Sequence, residues 1–168
     1  GLVGSEMCIR DSLPAMKGHN LEEKSTTGKT AVGPGKGKVL IMDDEVMVRD
    51  IARDLLVHLG FEVSTVDNGQ KAVELYRESL EKNDPFDAVI MDLTIPGGMG
   101  GKEAIQKLRE LDPLVKGVVS SGYSNDPVMA EYEKHGFAGM VHKPFEIDEL
   151  LQTLSSVVAS GRGRNRVN

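Results

Sequence analysis

The sequence predicts an α/β domain built on a doubly wound parallel sheet, and three observations predict it. Between Lys38 and Val158, five short apolar runs alternate with five amphipathic stretches of helical period. No hairpin turn joins one run to the next, which calls for parallel strands with crossover helices covering both faces of the sheet. The 168 residues amount to one compact domain plus tails, and a 39% apolar share suffices for one core. With four Phe, three Tyr and no Trp, that core must be mostly aliphatic.

Val39-Leu40-Ile41-Met42 is a buried-strand run ended by Asp43 and Asp44. Ile51, Ala52, Leu55, Leu56 and Leu59 then recur at helical spacing up to Gly60, a suitable helix C-cap. Phe61 to Val66 is the second strand. Asn68-Gly69 has the form of a hairpin turn, but Ala72, Val73, Leu75 and Tyr76 follow it at helical spacing, so Asn68 starts a helix. The third strand, Phe86 to Met91, ends at Asp92 and leads into a Pro/Gly-rich loop and a helix over about 102–111. Val115 to Ser120 is the fourth strand, closed by Ser121-Gly122, and Pro127 to His135 a short helix. Ala138 to His142 is the fifth strand. After Lys143-Pro144, residues Ile147, Leu150, Leu151, Leu154 and Val158 line one face of the last helix.

Outside this core, residues 1–37 read as a linker and 160–168 as a basic tail with Arg162, Arg164 and Arg166, leaving 38–159 as the folded domain. Gly28-Lys29-Thr30 is similar to the end of a phosphate loop, but that motif needs a Gly where Glu23 stands. A formal charge of −6 gives no global support for binding nucleic acid, and no direct DNA contact is expected. The single Cys8 forms no intramolecular disulfide, and the four His show no zinc-ligand spacing with it. No apolar run is long enough to span a membrane, so no membrane contact is expected and a cytoplasmic setting fits best.

Right-handed crossovers put every strand's C-terminal end on one edge, where ligands of such folds collect. The residues there are Asp43 and Asp44, Asp92, Ser121 and Lys143. Any one of them alone is more simply a helix cap, a turn former or a solvated loop residue. Together they put three carboxylates, a hydroxyl and an amine on one edge. Crowded carboxylates repel, and a hard divalent cation with oxygen ligands and water, Mg²⁺, relieves that repulsion.

Met42-Asp43-Asp44-Glu45, Met91-Asp92-Leu93-Thr94-Ile95-Pro96, Ser121-Gly122-Tyr123 and His142-Lys143-Pro144-Phe145 closely resemble the motifs of the receiver domain of two-component response regulators. The resemblance extends from about Gly37 to Val158. It implies a (βα)5 flavodoxin-like sandwich with strand order 2-1-3-4-5. It further implies that Asp92 accepts a phosphoryl group from a phosphohistidine on a partner, a histidine kinase or a histidine phosphotransfer protein. Asp44, Asp92 and the Thr94 carbonyl would bind Mg²⁺, with Asp43 acting directly or through water. Lys143 would neutralise charge on the transferring oxygens, and Ser121 would hydrogen-bond the phosphoryl group and draw its loop inward. The resulting switch would act on the surface around helix four and strand five. A weak homodimer is a further expectation of the class.

Two departures stand out. Met140 occupies the place where the family commonly has an aromatic on strand five. The loop Ile95-Pro96-Gly97-Gly98-Met99-Gly100-Gly101 is one residue longer than usual, with Gly100 in place of an Asp, which predicts added mobility. Thr94 and Tyr123 flank the phosphorylation site and, in the family, influence phosphate lifetime.

Only 24 residues follow Pro144, so output through a fused DNA-binding domain is not expected. Leu13-Pro14-Ala15 before a polar linker resembles the end of the ATP-binding domain of a histidine kinase, which implies the C-terminal receiver of a hybrid sensor kinase. Residues 1–12 fit neither domain, and Gly4 to Asp11 is similar to a translated sequencing adapter. Two other readings compete: a phosphorylation-independent interaction module, and a phosphohydrolase with Asp92 as nucleophile. The latter needs a carboxylate two residues on, where Thr94 stands.

Overall fold

The structure, a computed structural model, describes residues 37–123 and 125–160. The expected linker up to residue 36, the Leu13-Pro14-Ala15 segment and the arginines of the tail lie outside the described residues.

Five parallel strands form one sheet: β1 (Lys38–Met42), β2 (Glu62–Val66), β3 (Ala88–Asp92), β4 (Gly117–Ser121) and β5 (Gly139–His142). Their spatial order is β2-β1-β3-β4-β5, as expected. The crossovers are α1 (Val46–His58), α2 (Gly69–Glu81), α3 (Gly101–Leu111) and α4 (Pro127–Ala130), and α5 (Ile147–Ala159) closes the chain. Because both faces of the sheet are covered, both sets of alternating side chains are apolar. Leu40, Met42, Val89, Met91 and Val119 pack on α2 and α3, while Val39, Ile41, Ile90, Val118 and Val141 pack on α1 and α5. That double burial explains why the sequence shows runs rather than alternation at the central strands.

Local chemistry sets the element ends. Asn68 is the N-cap of α2, its side chain accepting from Lys71 N at 3.0 Å, which is why Asn68-Gly69 opens a helix and not a hairpin. α1 begins five residues earlier than its apolar spacing indicates, at Val46, because its first turn is exposed and so carries no core signal. The segment expected as one helix over 127–135 is divided: α4 is four residues long, and a 3₁₀ turn covers Tyr132–His135. Glu131 leaves helical geometry between them, at φ −123° and ψ 35°. Four residues are too few for an α-helix to propagate, and tertiary packing of Met129 and Phe137 sets the path instead.

Candidate metal and phosphoryl-acceptor site

Each site residue is carried to the same edge by the end of a strand. Asp43 and Asp44 follow β1, Asp92 is the last residue of β3, Ser121 the last of β4, and Lys143 follows β5. The cleft they share, about 650 Å³, is lined by Asp44, Asp92, Thr94, Ser121 and Lys143 together with Glu45, Val48, Pro96, Gly122, Tyr123 and Pro144. All the residues expected to form the site except Asp43 line this cleft. Asp43 sits beneath it, 1% exposed.

The Lys143 ammonium ties the buried acids together. Its Nζ lies 2.5 Å from Asp43 Oδ2 and 2.9 Å from Asp92 Oδ2. Burial pushes the Asp92 carboxyl above the ordinary carboxylate range; Lys143 pulls it back, and the Asp43 charge adds to the rise. For Lys143, burial opposes the charge, but the two carboxylates more than offset it and hold the ammonium pKa above its ordinary value. The buried part of the site is thus two acids bridged by one base, with Asp44 exposed at its rim.

The backbone holds these groups in place. Asp43 Oδ1 accepts from Glu45 N at 2.9 Å, and the Arg49 guanidinium donates to the Asp43 carbonyl. Thr94 N donates to Asp92 Oδ1 at 3.4 Å. Ser121 Oγ accepts from Tyr123 N at 3.1 Å, which leaves the hydroxyl proton free in direction to donate into the cleft. Arg49 was not legible in the sequence, because nothing about a basic residue within α1 says that it turns back onto a carbonyl six residues earlier.

Asp43, Asp44 and Asp92 each offer an oxygen, and these oxygens lie within 4.8 Å of one another. Asp43 Oδ2 is fully buried and makes no directed hydrogen bond; its compensation is the Lys143 charge alone. A buried carboxylate oxygen with spare acceptor capacity beside two other carboxylates fits a hard, oxygen-seeking cation. The donor set suits Mg²⁺ and has none of the nitrogen or sulfur that zinc prefers.

The loop after β3 gives its glycines a packing task. A Cβ on Gly100 would stand 2.3 Å from the Leu93 carbonyl oxygen, and Gly97 has φ +68°. Gly69 N donates to Met99 O at 2.9 Å, which fastens the longer loop to the start of α2. The residue usually acidic at Gly100 has no room here. At Met140 the side chain is half-buried against the α2–α3 core.

This arrangement of parallel strands, acid cluster and lysine is that of a phosphoacceptor module. The family model for the response regulator receiver domain matches residues 39–155, and the chain belongs to that family. Chemotaxis protein CheY of Thermotoga maritima is 33% identical over 121 residues, covering 71% of this chain and 96% of that protein. CheY of Bacillus subtilis is 30% identical over 122 residues, covering 72% of this chain and 97% of its own. Among solved structures, a LuxR-family two-component response regulator from Aurantimonas sp. SI85-9A1 superposes with a TM-score of 0.66 at 27% identity, covering 75% of this chain and 87% of that one. The receiver domain of sensor histidine kinase PA1611 from Pseudomonas aeruginosa PAO1, which has a magnesium ion coordinated in its active site cleft, superposes with a TM-score of 0.65 at 20% identity and covers 74% of this chain and 99% of its own. At that identity the likeness is one of fold. Among the described residues no helix is long and apolar enough to cross a membrane.

Proposed function

We propose that Asp92 is the phosphoacceptor of a His-to-Asp relay, with Mg²⁺ held by Asp43, Asp44, Asp92 and the Thr94 carbonyl. The observation that carries this is the ammonium of Lys143 set between the Asp43 and Asp92 carboxylates at the floor of an open cleft. In the transfer, an Asp92 oxygen forms a bond to phosphorus as the phosphorus–nitrogen bond of the donor phosphohistidine breaks, and the imidazole departs with the bonding pair. Lys143 moves with the charge, from pairing two carboxylates to pairing a phosphoryl oxygen. Ser121 donates its hydroxyl to another oxygen and carries the β4 loop inward. When bound, Mg²⁺ supplies neutralisation of the charge gathered on the transferring oxygens.

The donor is a histidine kinase or a histidine phosphotransfer protein, and the rim of the cleft suits a protein donor. α1 begins beside cleft-lining Asp44 and Glu45, and it exposes Val46, Met47 and Ile51 by 59%, 76% and 52%. Thr94, two residues after Asp92, supplies no carboxylate for general acid work, so external phosphate esters are poor substrates. We also propose a folded domain over 38–159 between a linker and a basic tail, cytoplasmic, without direct DNA contact, and serving as the C-terminal receiver of a hybrid sensor kinase.

The test is direct. Incubated with Mg²⁺ and acetyl phosphate, the protein gains the mass of one phosphoryl group, while Asp92→Asn does not; with EDTA in place of Mg²⁺ the gain disappears. A gain that persists in Asp92→Asn places the acceptor elsewhere. Partner affinity that ignores phosphorylation would favour a phosphorylation-independent interaction module instead.

A further inference from the structure

Lys143 has to be held within a fraction of an ångström of two carboxylates, yet it follows the edge strand of the sheet, β5, which has a neighbour on one side only. On that side Lys143 N donates to Ser121 O at 3.0 Å. On the open side the grip comes from α5. His142 N donates to both oxygens of Glu149, at 3.3 and 3.4 Å, and His142 Nδ1 stands 2.8 Å from Glu149 Oε1. A carboxylate only accepts, so in this contact Nδ1 donates. One turn further along α5, Thr153 Oγ1 donates to Met140 O at 3.4 Å. One carboxylate thus fixes both the backbone and the ring of the residue directly before Lys143.

The geometry points to Glu149 as a positioning residue for phosphoryl transfer: by clamping His142 from α5, it sets where the Lys143 ammonium stands relative to Asp92. The inference rests on the reading of Asp92 as phosphoacceptor. Its physical basis is that an edge strand of four residues has little other restraint at its end, and small displacements of a charge-stabilising group cost rate steeply. Glu149 does not line the cleft. Removing it should slow transfer without weakening Mg²⁺ binding, since the carboxylates that would hold Mg²⁺ stand at the ends of β1 and β3 and only lose a competing ammonium when Lys143 is displaced.

Two measurements on the full chain test this, using Glu149→Ala and Glu149→Gln. In the first, the rate of phosphorylation by acetyl phosphate falls about tenfold in Glu149→Ala. Calorimetric Mg²⁺ affinity falls by no more than about twofold from wild type, because the carboxylates themselves stay in place. Glu149→Gln, whose amide oxygen still accepts from His142 N, recovers most of the rate. The second measurement needs no phosphate: each lysine's rate of acetylation by a small reagent is followed by mass spectrometry. Lys143 labels several-fold faster in Glu149→Ala, while Lys38, whose side chain is 15% exposed against 14% for Lys143, does not change. Lys38 lies at the opposite end of the sheet, on β1, so it reports general loosening. A Glu149→Ala protein with wild-type rate and wild-type Lys143 labelling overturns the inference. So does parallel acceleration at Lys38, which makes Glu149 merely structural. If wild type takes up no phosphoryl group while Lys143 labelling still responds to Glu149, the acceptor reading fails and the clamp on Lys143 stands by itself.

Discussion

The acidic and basic halves of the site are built differently. Asp43 and Asp92 extend from β1 and β3, strands with partners on both sides, so the sheet ladder itself places their carboxylates. Lys143 extends from the edge strand β5, and its placement depends on α5 side chains as much as on β4. Central strands supply rigidity through backbone bonds that any sequence makes; an edge strand has to recruit particular side chains to reach the same precision. The ladder thus places the acids, with Arg49 adding one side-chain contact to the Asp43 carbonyl, whereas the end of β5 relies on Glu149 and Thr153 of α5.

The sharpest way to break the acidic half is Asp92→Asn, which should abolish phosphorylation measured by intact mass, because an amide is no nucleophile toward phosphorus. Next in size, Lys143→Met should slow phosphorylation by about 10²-fold or more, the usual cost of removing a charge-stabilising donor. It also leaves buried Asp43 facing Asp92 without compensation and should lower the melting temperature, a loss that added Mg²⁺ partly restores.

Gly100→Ala tests the loop that supports Asp92. With 2.3 Å from the new Cβ to the Leu93 oxygen, the loop must shift, and a loss of about 1–3 kcal/mol in denaturant unfolding is expected. If stability does not change, the loop relaxes freely and the glycine is not needed for close approach.

The smallest expected effect concerns pH. The Asp92 pKa is raised in the fold, so its charge opposes folding at pH above that folded value, and the opposition fades as pH falls through it and the carboxyl protonates. Without Mg²⁺, Asp92→Asn should melt higher than wild type at neutral pH, because the amide carries no charge to desolvate. That advantage should shrink toward acid pH. A variant that melts lower than wild type at neutral pH would show that the ion pair with Lys143 outweighs the burial.

The strand ends were legible because apolar runs stop at polar or charged residues, and Asp43, Asp44, Asp92, Ser121 and Lys143 all sit at such stops. The start of α1 was not, since Val46 and Met47 are exposed and add nothing to a core period. Gly100 read as freedom in the chain, yet in the fold it allows close approach to a carbonyl, a contact between residues seven apart that spacing cannot reveal. Arg49 and Glu149 were silent for the same reason, because both act on backbone groups of other elements.

By itself, then, the amino-acid order determined the alternation of strands and helices, the parallel sheet and the set of residues at its functional edge, since these follow from local periodicity and from chain chirality. Tertiary structure alone decided how the charges are shared: that Lys143 stands between Asp43 and Asp92, that Asp43 is buried while Asp44 faces water, and that Glu149 holds the strand from which the lysine extends. Periodicity reports which face of an element is covered, whereas distances between side chains on different elements depend on how those elements pack.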